Sequence, residues 1–484
     1  MKMKKLFTGA VIGAAAVMAL SACGAKKDEG KSAKDGVVEL NWYLVGPPVK
    51  DLGEVNKELN NYIGEKYKVN VKMNQIDFSD YDQKMMTMIN SGEKVDMMFT
   101  TYWQLNYAQN ARKGIFANLT EMMDDYPELK GMLKEDVLKA SEVDGKLYGV
   151  PQRTLEKAGG RFICFNKELV DKYKIDVSKV DSVQTLAPVL REVKEKVDFA
   201  PWYMAKAEPM TSFDYLAQPL GVEVGTGNPE KIVNRYETEE YKKDIETIAK
   251  LREEGMINSD SLTLEGLSGM GARIGNKWFA TYWTMTPMDQ SIVEEQVGGK
   301  VIVNEVKNSA ILKSVAYCMV AVGENSDHKK EAMTFLQALN TDQKIANLLR
   351  YGIEGKHYTL ENGKVKFTDE HKNYDIPGYN FPYDQTKTLQ RADAGDDVLK
   401  IAAEYNESVI NSPALGFSYD STNTASEIAQ MTNVLEEYFH TVGTGSKGAM
   451  ETLETMNKKL KAAGLDTVQK DMQKQYDEWR AKQK

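Results

Sequence analysis

The sequence predicts an α/β fold: two α/β lobes joined by a hinge, with a helical C-terminal extension. Three observations predict it. The chain has 484 residues and is 42% hydrophobic, more than one hydrophobic core usually organises. Strand-like and helix-like segments alternate after the first forty residues, the pattern of a mainly parallel sheet covered by helices. From Asp393 onward the apolar spacing turns helical throughout.

The first element is a leader. Lys2, Lys4 and Lys5 precede an uncharged stretch, Leu6 to Leu20, a secretory signal pattern and shorter than the roughly 18 residues of a spanning helix. Leu20-Ser21-Ala22-Cys23 follows and resembles the lipobox of bacterial lipoproteins, which implies cleavage after residue 22 and lipidation of Cys23. A thiol is the nucleophile that diacylglycerol can alkylate, and two or more acyl chains anchor stably where one is marginal. Without the leader, 59 basic residues face 71 acidic ones. Residues 23–36 then read as the lipidated Cys and a solvated tether.

Val37 to Val45 alternates as a strand, stopped by Gly46-Pro47-Pro48. Val55, Leu59, Tyr62, Ile63 and Tyr67 share one helical face, and Val69 to Ile76 is the next strand. Tyr81 to Asn90 reads as a helix whose Met85, Met86 and Met88 are core filler, Val95 to Thr100 as a strand, and Tyr102 to Lys113 as a helix. Val143 to Pro151 marks the first crossing between lobes, giving lobe 1 over 37–151 and lobe 2 from 152 to 299. Within lobe 2, Arg161 to Phe165 is a strand, Glu168 to Tyr173, Ser182 to Val197 and Glu237 to Glu254 are helices, and Ala272 to Trp283 is a strand. Lys300 to Val306 and Ser314 to Val322 are β-rich and Asp327 to Asn340 is helical, so 300–350 is expected back in lobe 1. Residues 351–484 are expected to complete lobe 2 and form the helical domain, with helices at Asp397 to Ile410, Ala425 to Phe439, Lys447 to Ala463 and Asp466 to Lys482.

Most catalytic signatures are missing. No P-loop occurs, and Gly269, Gly271 and Gly275 precede a strand where a dinucleotide fingerprint follows one, so they read as a flexible loop. Four histidines without metal-ligand spacing make zinc improbable, and no calcium loop pattern is present, so neither metal nor cofactor is expected. G-x-S-x-G is absent, and Ser326 reads as part of a helix cap. Basic residues are dispersed, which argues against nucleic acid. Cys164 and Cys318 lie in apolar runs and are expected as two buried thiols, a disulfide being the alternative.

What remains is aromatic: 24 Tyr and 6 Trp against 14 Phe. Trp42-Tyr43, Tyr102-Trp103, Trp202-Tyr203 and Tyr282-Trp283 lie where predicted strands end, and open α/β sheets bind ligands beyond their strands' carboxyl ends. A sugar's C–H face stacks on such rings. Core packing is the competing reading for each pair.

Several segments together resemble bacterial extracellular solute-binding proteins of family 1, the receptors of ABC importers. They are Cys23, Asp144-Gly145-Lys146-Leu147-Tyr148-Gly149-Val150-Pro151, the Gly275-to-Trp283 strand, and Arg350-Tyr351-Gly352-Ile353-Glu354-Gly355-Lys356-His357-Tyr358. The last resembles a YGIEGKHY signature of a Firmicutes lipoprotein subgroup with a helical C-terminal domain; here that domain would start near Leu399 and contain Gly416-Phe417-Ser418-Tyr419-Asp420. The resemblance implies a periplasmic-binding-protein-like fold, hinge closure on a ligand, an oligosaccharide as that ligand, delivery to ABC permease subunits, and a monomer lipid-anchored at the extracellular face of the cell membrane. It also implies that Gln152 and Arg153 face the cleft after the hinge, that Tyr282 and Trp283 stack on the ligand, and that Glu354, His357 and Tyr358 border the site. For the last loop the competing reading is a tight turn with a structural Glu354 and His357. Arg153 could favour a uronic acid. The resemblance implies a non-enzyme; a surface glycoside hydrolase and a receptor for peptides or another polar solute stay open, since fold does not fix ligand.

Overall fold

The computed structural model describes residues 36–483 except 153, 207–211, 226 and 316. The leader, Cys23 and Arg153 therefore lie outside the described residues. Among those described, no helix is long and apolar enough to cross a membrane.

The first lobe is built on a five-stranded sheet. Its strands run, edge to edge, Val69–Ile76, Val38–Val45, Met97–Thr100, Met319–Val322 and Gly149–Pro151. The first three pair in parallel, with Trp42 opposite both Met73 and Met97, and Met319–Val322 enters antiparallel between Met97–Thr100 and Gly149–Pro151. Strands covered on both faces read as nearly continuous apolar runs, as all four buried residues of Met97–Thr100 show. Helices Leu52–Tyr67 and Lys329–Thr341 bury Val55, Leu59, Ile63, Phe335 and Leu336 in this core. Met85 is buried in it, and Met86 and Met88 pack at its margin.

The second lobe centres on Gly160–Asn166, flanked antiparallel by Ala280–Met285 and Val301–Glu305. Val183–Lys194 and Glu239–Glu253 close its core with Leu186, Leu190, Ile248 and Leu251. A Ser182–Thr185 capping box starts the first of these helices, satisfying end groups the helix itself leaves unpaired. Helices Ala425–Gly443, Ala449–Ala462 and Leu465–Ala481 form the tail, and their Met431, Leu453, Met472 and Tyr476 share a core with Leu220, Val222 and Tyr236 of the second lobe.

Three expectations are corrected. Met270–Ile274 is a one-turn helix and the strand begins at Ala280. A Cβ on Gly271 would lie 2.5 Å from the Val297 carbonyl oxygen, so its glycine permits a close approach of two segments. Val301–Glu305 still pairs in the second lobe, and the chain re-enters the first core at Leu312. Tyr374, Ile376, Phe381 and Tyr383 lie in the first core, so the chain stays there well beyond residue 350. Local periodicity predicts an element, but which sheet the element joins depends on pairing at long range.

Candidate functional site

A cleft of about 1030 Å³ opens where the segments crossing between lobes converge. The first lobe contributes Tyr102, Gln152, Tyr317 and Arg350, the second Arg161, Thr286 and Asp289, and the crossing segments Glu156, Lys157, Lys313 and Arg391. An annex of about 290 Å³ shares Arg161 and Thr284 with it and is lined by Tyr282 and Trp283. Another hollow, about 760 Å³, lies outside the crossings between Lys134–Lys139 and Trp479–Arg480. Among the described residues, this cleft has both lobes and segments crossing between them in its walls, the placement expected of a ligand site between domains.

Of the aromatic candidates, the structure brings Tyr102 into the cleft, 61% exposed. Trp103 sits beside it against Phe78, Phe99 and Tyr379, at 5.6 Å from the Phe99 ring. Gln152 donates from Nε2 to the Gly378 carbonyl at 2.9 Å, holding the first crossing to the far end of the first lobe. Trp283 is half-buried in the annex wall, whereas Tyr282 is buried with its ring 5.4 Å from Trp202.

The other pairs belong to cores, which corrects the cleft reading for them. Trp42 is fully buried between Phe335 and Phe381, each at 5.5 Å and edge-on. Tyr43 is buried next to it, with its hydroxyl 3.5 Å from Glu93. Trp202 is fully buried in the second core. Strand ends that close on a helix layer bury their rings; only the loop at Tyr102 leaves a ring uncovered.

The loop of Glu354, His357 and Tyr358 is likewise a structural element of the first lobe, and none of the three lines the cleft. His357 is completely buried. Its Nδ1 accepts the Ile353 N–H at 2.9 Å, its Nε2 lies 3.2 Å from Asp51, and its ring stacks on Tyr374. Lys356 reaches the same Asp51 carboxylate at 2.8 Å, and these two hydrogen bonds hold the Asp51 carboxyl below the usual range. Gly352 has φ +80, and a Cβ there would meet His357 Nδ1 at 2.3 Å, so only glycine fits. Tyr358 is buried against Tyr351 and Glu354 is exposed.

Comparison with known proteins now bears on this geometry. A family profile described as bacterial extracellular solute-binding protein matches residues 50–345, more than half of the chain. The chain belongs to that family. A second profile, a domain of unknown function called DUF3502, matches residues 413–481, the tail. A carbohydrate ABC transporter substrate-binding protein of Streptococcus pneumoniae is 30% identical over 478 residues, 95% of each chain. The crystal structure of an N-glycan transport solute-binding protein, NgtS, from the same organism superposes with a TM-score of 0.81 at 29% identity, covering 92% of this chain and 100% of that one. The same relative in complex with Man1GlcNAc superposes at 0.68, covering 91% of this chain and 99% of that one.

The chemically distinctive wall of this cleft is one that reasoning from the sequence missed. Thr286 Oγ1 lies 3.1 Å from Glu156 Oε1 and 3.0 Å from Asp289 Oδ2, and the Thr286 N–H donates to Asp289 at 2.8 Å. Burial, reinforced by the charge of Asp289 and opposed by the Thr286 hydrogen bond, pushes the Glu156 carboxyl up. Thr286-Pro287-Met288-Asp289 is a capping box directly after the strand Ala280–Met285, so the carboxyl-end rule pointed here, three residues beyond Trp283. Glu156 lies on a crossing without periodicity and gave no signal. Cys318 lines the same cleft and Cys164 is buried; both are free thiols, pushed by burial up to about 11 and about 12.

Proposed function

We propose that the chain captures an oligosaccharide in the interlobe cleft and delivers it to the permease of an ABC importer, held at the outer face of the cell membrane by lipid on Cys23. The observation that carries this reading is Tyr102, a largely uncovered ring over a cleft whose walls mix apolar side chains such as Met288, Ile292 and Ile401 with hydroxyls, amides, carboxylates and guanidinium groups. A ring of this kind offers a stacking face, and the surrounding polar groups take the hydroxyls. The similarity to a carbohydrate ABC transporter substrate-binding protein and to the N-glycan transport protein NgtS supports the same ligand class.

The hydrolase reading loses its best pair of acids to geometry. Glycosidase carboxylates flank the scissile bond with open space between them, whereas Glu156 and Asp289 lie on one wall with the Thr286 side chain between.

The test is a thermal-shift screen of the mature chain, with Cys23 removed, against oligosaccharides, peptides and polar metabolites, followed by calorimetry on Tyr102→Ala. A ligand at 100 times its dissociation constant stabilises by about 2.7 kcal/mol. Losing the ring should weaken a sugar by about 1–2 kcal/mol, roughly 5- to 30-fold, with an unchanged melting temperature for the free protein. A response to peptides alone, or ligand recovered cleaved, would sink the proposal.

A further inference from the structure

We infer that Glu156 and Asp289 act as a charge filter in the cleft, admitting neutral oligosaccharides and rejecting those that carry a carboxylate. The inference rests on the oligosaccharide reading and names the class within it.

The basic groups of the cleft are engaged. Lys157 is paired with Asp136 at 2.6 Å, and Arg391 forks onto Asp393 with one bond of 2.9 Å. Arg350 donates to Thr388 at 2.5 Å and lies 4.8 Å over the Tyr351 ring. Lys313 donates to the Phe213 carbonyl at 3.0 Å, and Arg161 is not free either.

The acids are in the opposite position. Among the described residues, no ammonium or guanidinium group pairs with Glu156 or Asp289, and no cation acts on Glu156 beside the burial, hydrogen-bonding and Asp289 effects already described. The two share a single hydroxyl, whose one hydrogen can serve only one of the two contacts fully. A buried donor is turned toward the same place. Tyr405 is 7% exposed, its hydroxyl has no hydrogen-bond partner, and the charges of Glu305, Glu156 and Asp289 all bear on it. The approach is tight enough that a Cβ on Gly160 would lie 2.9 Å from that hydroxyl.

Unpaired acceptors in a cleft from which closure expels water favour a ligand that brings hydroxyl hydrogens. A ligand carboxylate would instead add a third negative charge beside two that no cation among the described residues pairs with, and like-charge contacts of this kind weaken binding by about a hundredfold or more.

The experiment measures affinities, by calorimetry, for oligomers of mannose, glucose, galactose and N-acetylglucosamine and for oligomers of galacturonate and glucuronate. Wild type is compared with Glu156→Gln/Asp289→Asn and with each single variant. Wild type should bind a neutral oligomer roughly 100-fold or more tightly than any uronate oligomer. The double variant should narrow that ratio at least about tenfold by gaining uronate affinity. Equal affinity of wild type for neutral and acidic oligomers overturns the filter, as does an unchanged ratio in the double variant with the single variants agreeing. Silence of a cooperatively melting wild type toward every sugar overturns the oligosaccharide reading, and the filter with it.

Discussion

Two polar clusters in this molecule, one buried in the first lobe and one half-buried in the cleft wall, look alike in composition and differ in how completely their atoms are paired. Around His357 both ring nitrogens have partners, and Asp51 is met by His357 and Lys356 together. Around Thr286 two carboxylates share one hydroxyl, and among the described residues no cation pairs with them. A satisfied network contributes rigidity, because every group gave up water for a fixed partner. An unsatisfied one beside a cavity leaves bonds for something else to make. The difference teaches that, in this fold, the polar residues that look most conspicuous in the sequence hold the first lobe together, while the inconspicuous ones line the cleft.

The largest expected effect breaks the first side of that comparison. His357→Ala removes a fully buried ring, strands the Ile353 N–H and leaves Asp51 to Lys356 alone, and should cost about 3 kcal/mol in stability. Denaturant unfolding measures it, and ligand affinity in the variant should stay within about twofold. A large loss of affinity without loss of stability would move this loop into the site and undo the contrast.

Asp244 sharpens the comparison as an intermediate case: a buried carboxylate with one partner, Gln184 at 2.7 Å, and no cavity to open onto. Burial is the largest cause that pushes its carboxyl up to about 6. A folded pKa above the unfolded value of about 3.9 favours the protonated carboxyl in the native state. Its contribution is therefore fully present below about pH 4 and is lost as pH rises through about 6. At pH 7.5 Asp244→Asn should stabilise the protein by about 2 kcal/mol, and near pH 4 by almost nothing. Thermal melts of both proteins across that range measure it; a variant destabilised at pH 7.5 but not near pH 4 would show that the ionised group is needed.

Much of the architecture was legible because it rests on short-range pattern. Alternation marked Val38–Val45, 3.6-residue spacing marked Leu52–Tyr67, and the switch to helical spacing marked the tail. What was not legible rests on long-range contact. Trp42 and Tyr102 are both expected where strands end, yet Trp42 lies inside Val38–Val45 and is covered by Phe335 and Phe381, while Tyr102 follows the end of Met97–Thr100 and is largely exposed. Glycines flanking His357 looked like a ligand loop because the same residues that make a tight turn also make a binding loop. Glu156 becomes informative only when Thr286 and Asp289, some 130 residues away in sequence, arrive beside it.

The smallest effect concerns a paired group at the surface. Arg112 binds Asp144 through two bonds of 2.9 Å and also donates to the carbonyls of Ser418 at 2.7 Å and Tyr419 at 3.3 Å. It thereby ties the hairpin before the first crossing to the segment that enters the tail, where Leu415 packs in the first core and Phe417 in the tail's. Its pairing is as complete as that of His357, but water can reach Asp144 and replace what a substitution removes. Exposed ion pairs are therefore worth little, and the two carbonyl bonds add about 1 kcal/mol at most. Arg112→Ala should lower stability by about 1 kcal/mol, and hydrogen exchange should quicken at Ser418 and Tyr419 before anywhere in the second core. A loss as large as that of His357→Ala would mean that completeness of pairing outweighs burial in this fold, and the contrast between the two clusters would then need a different cause.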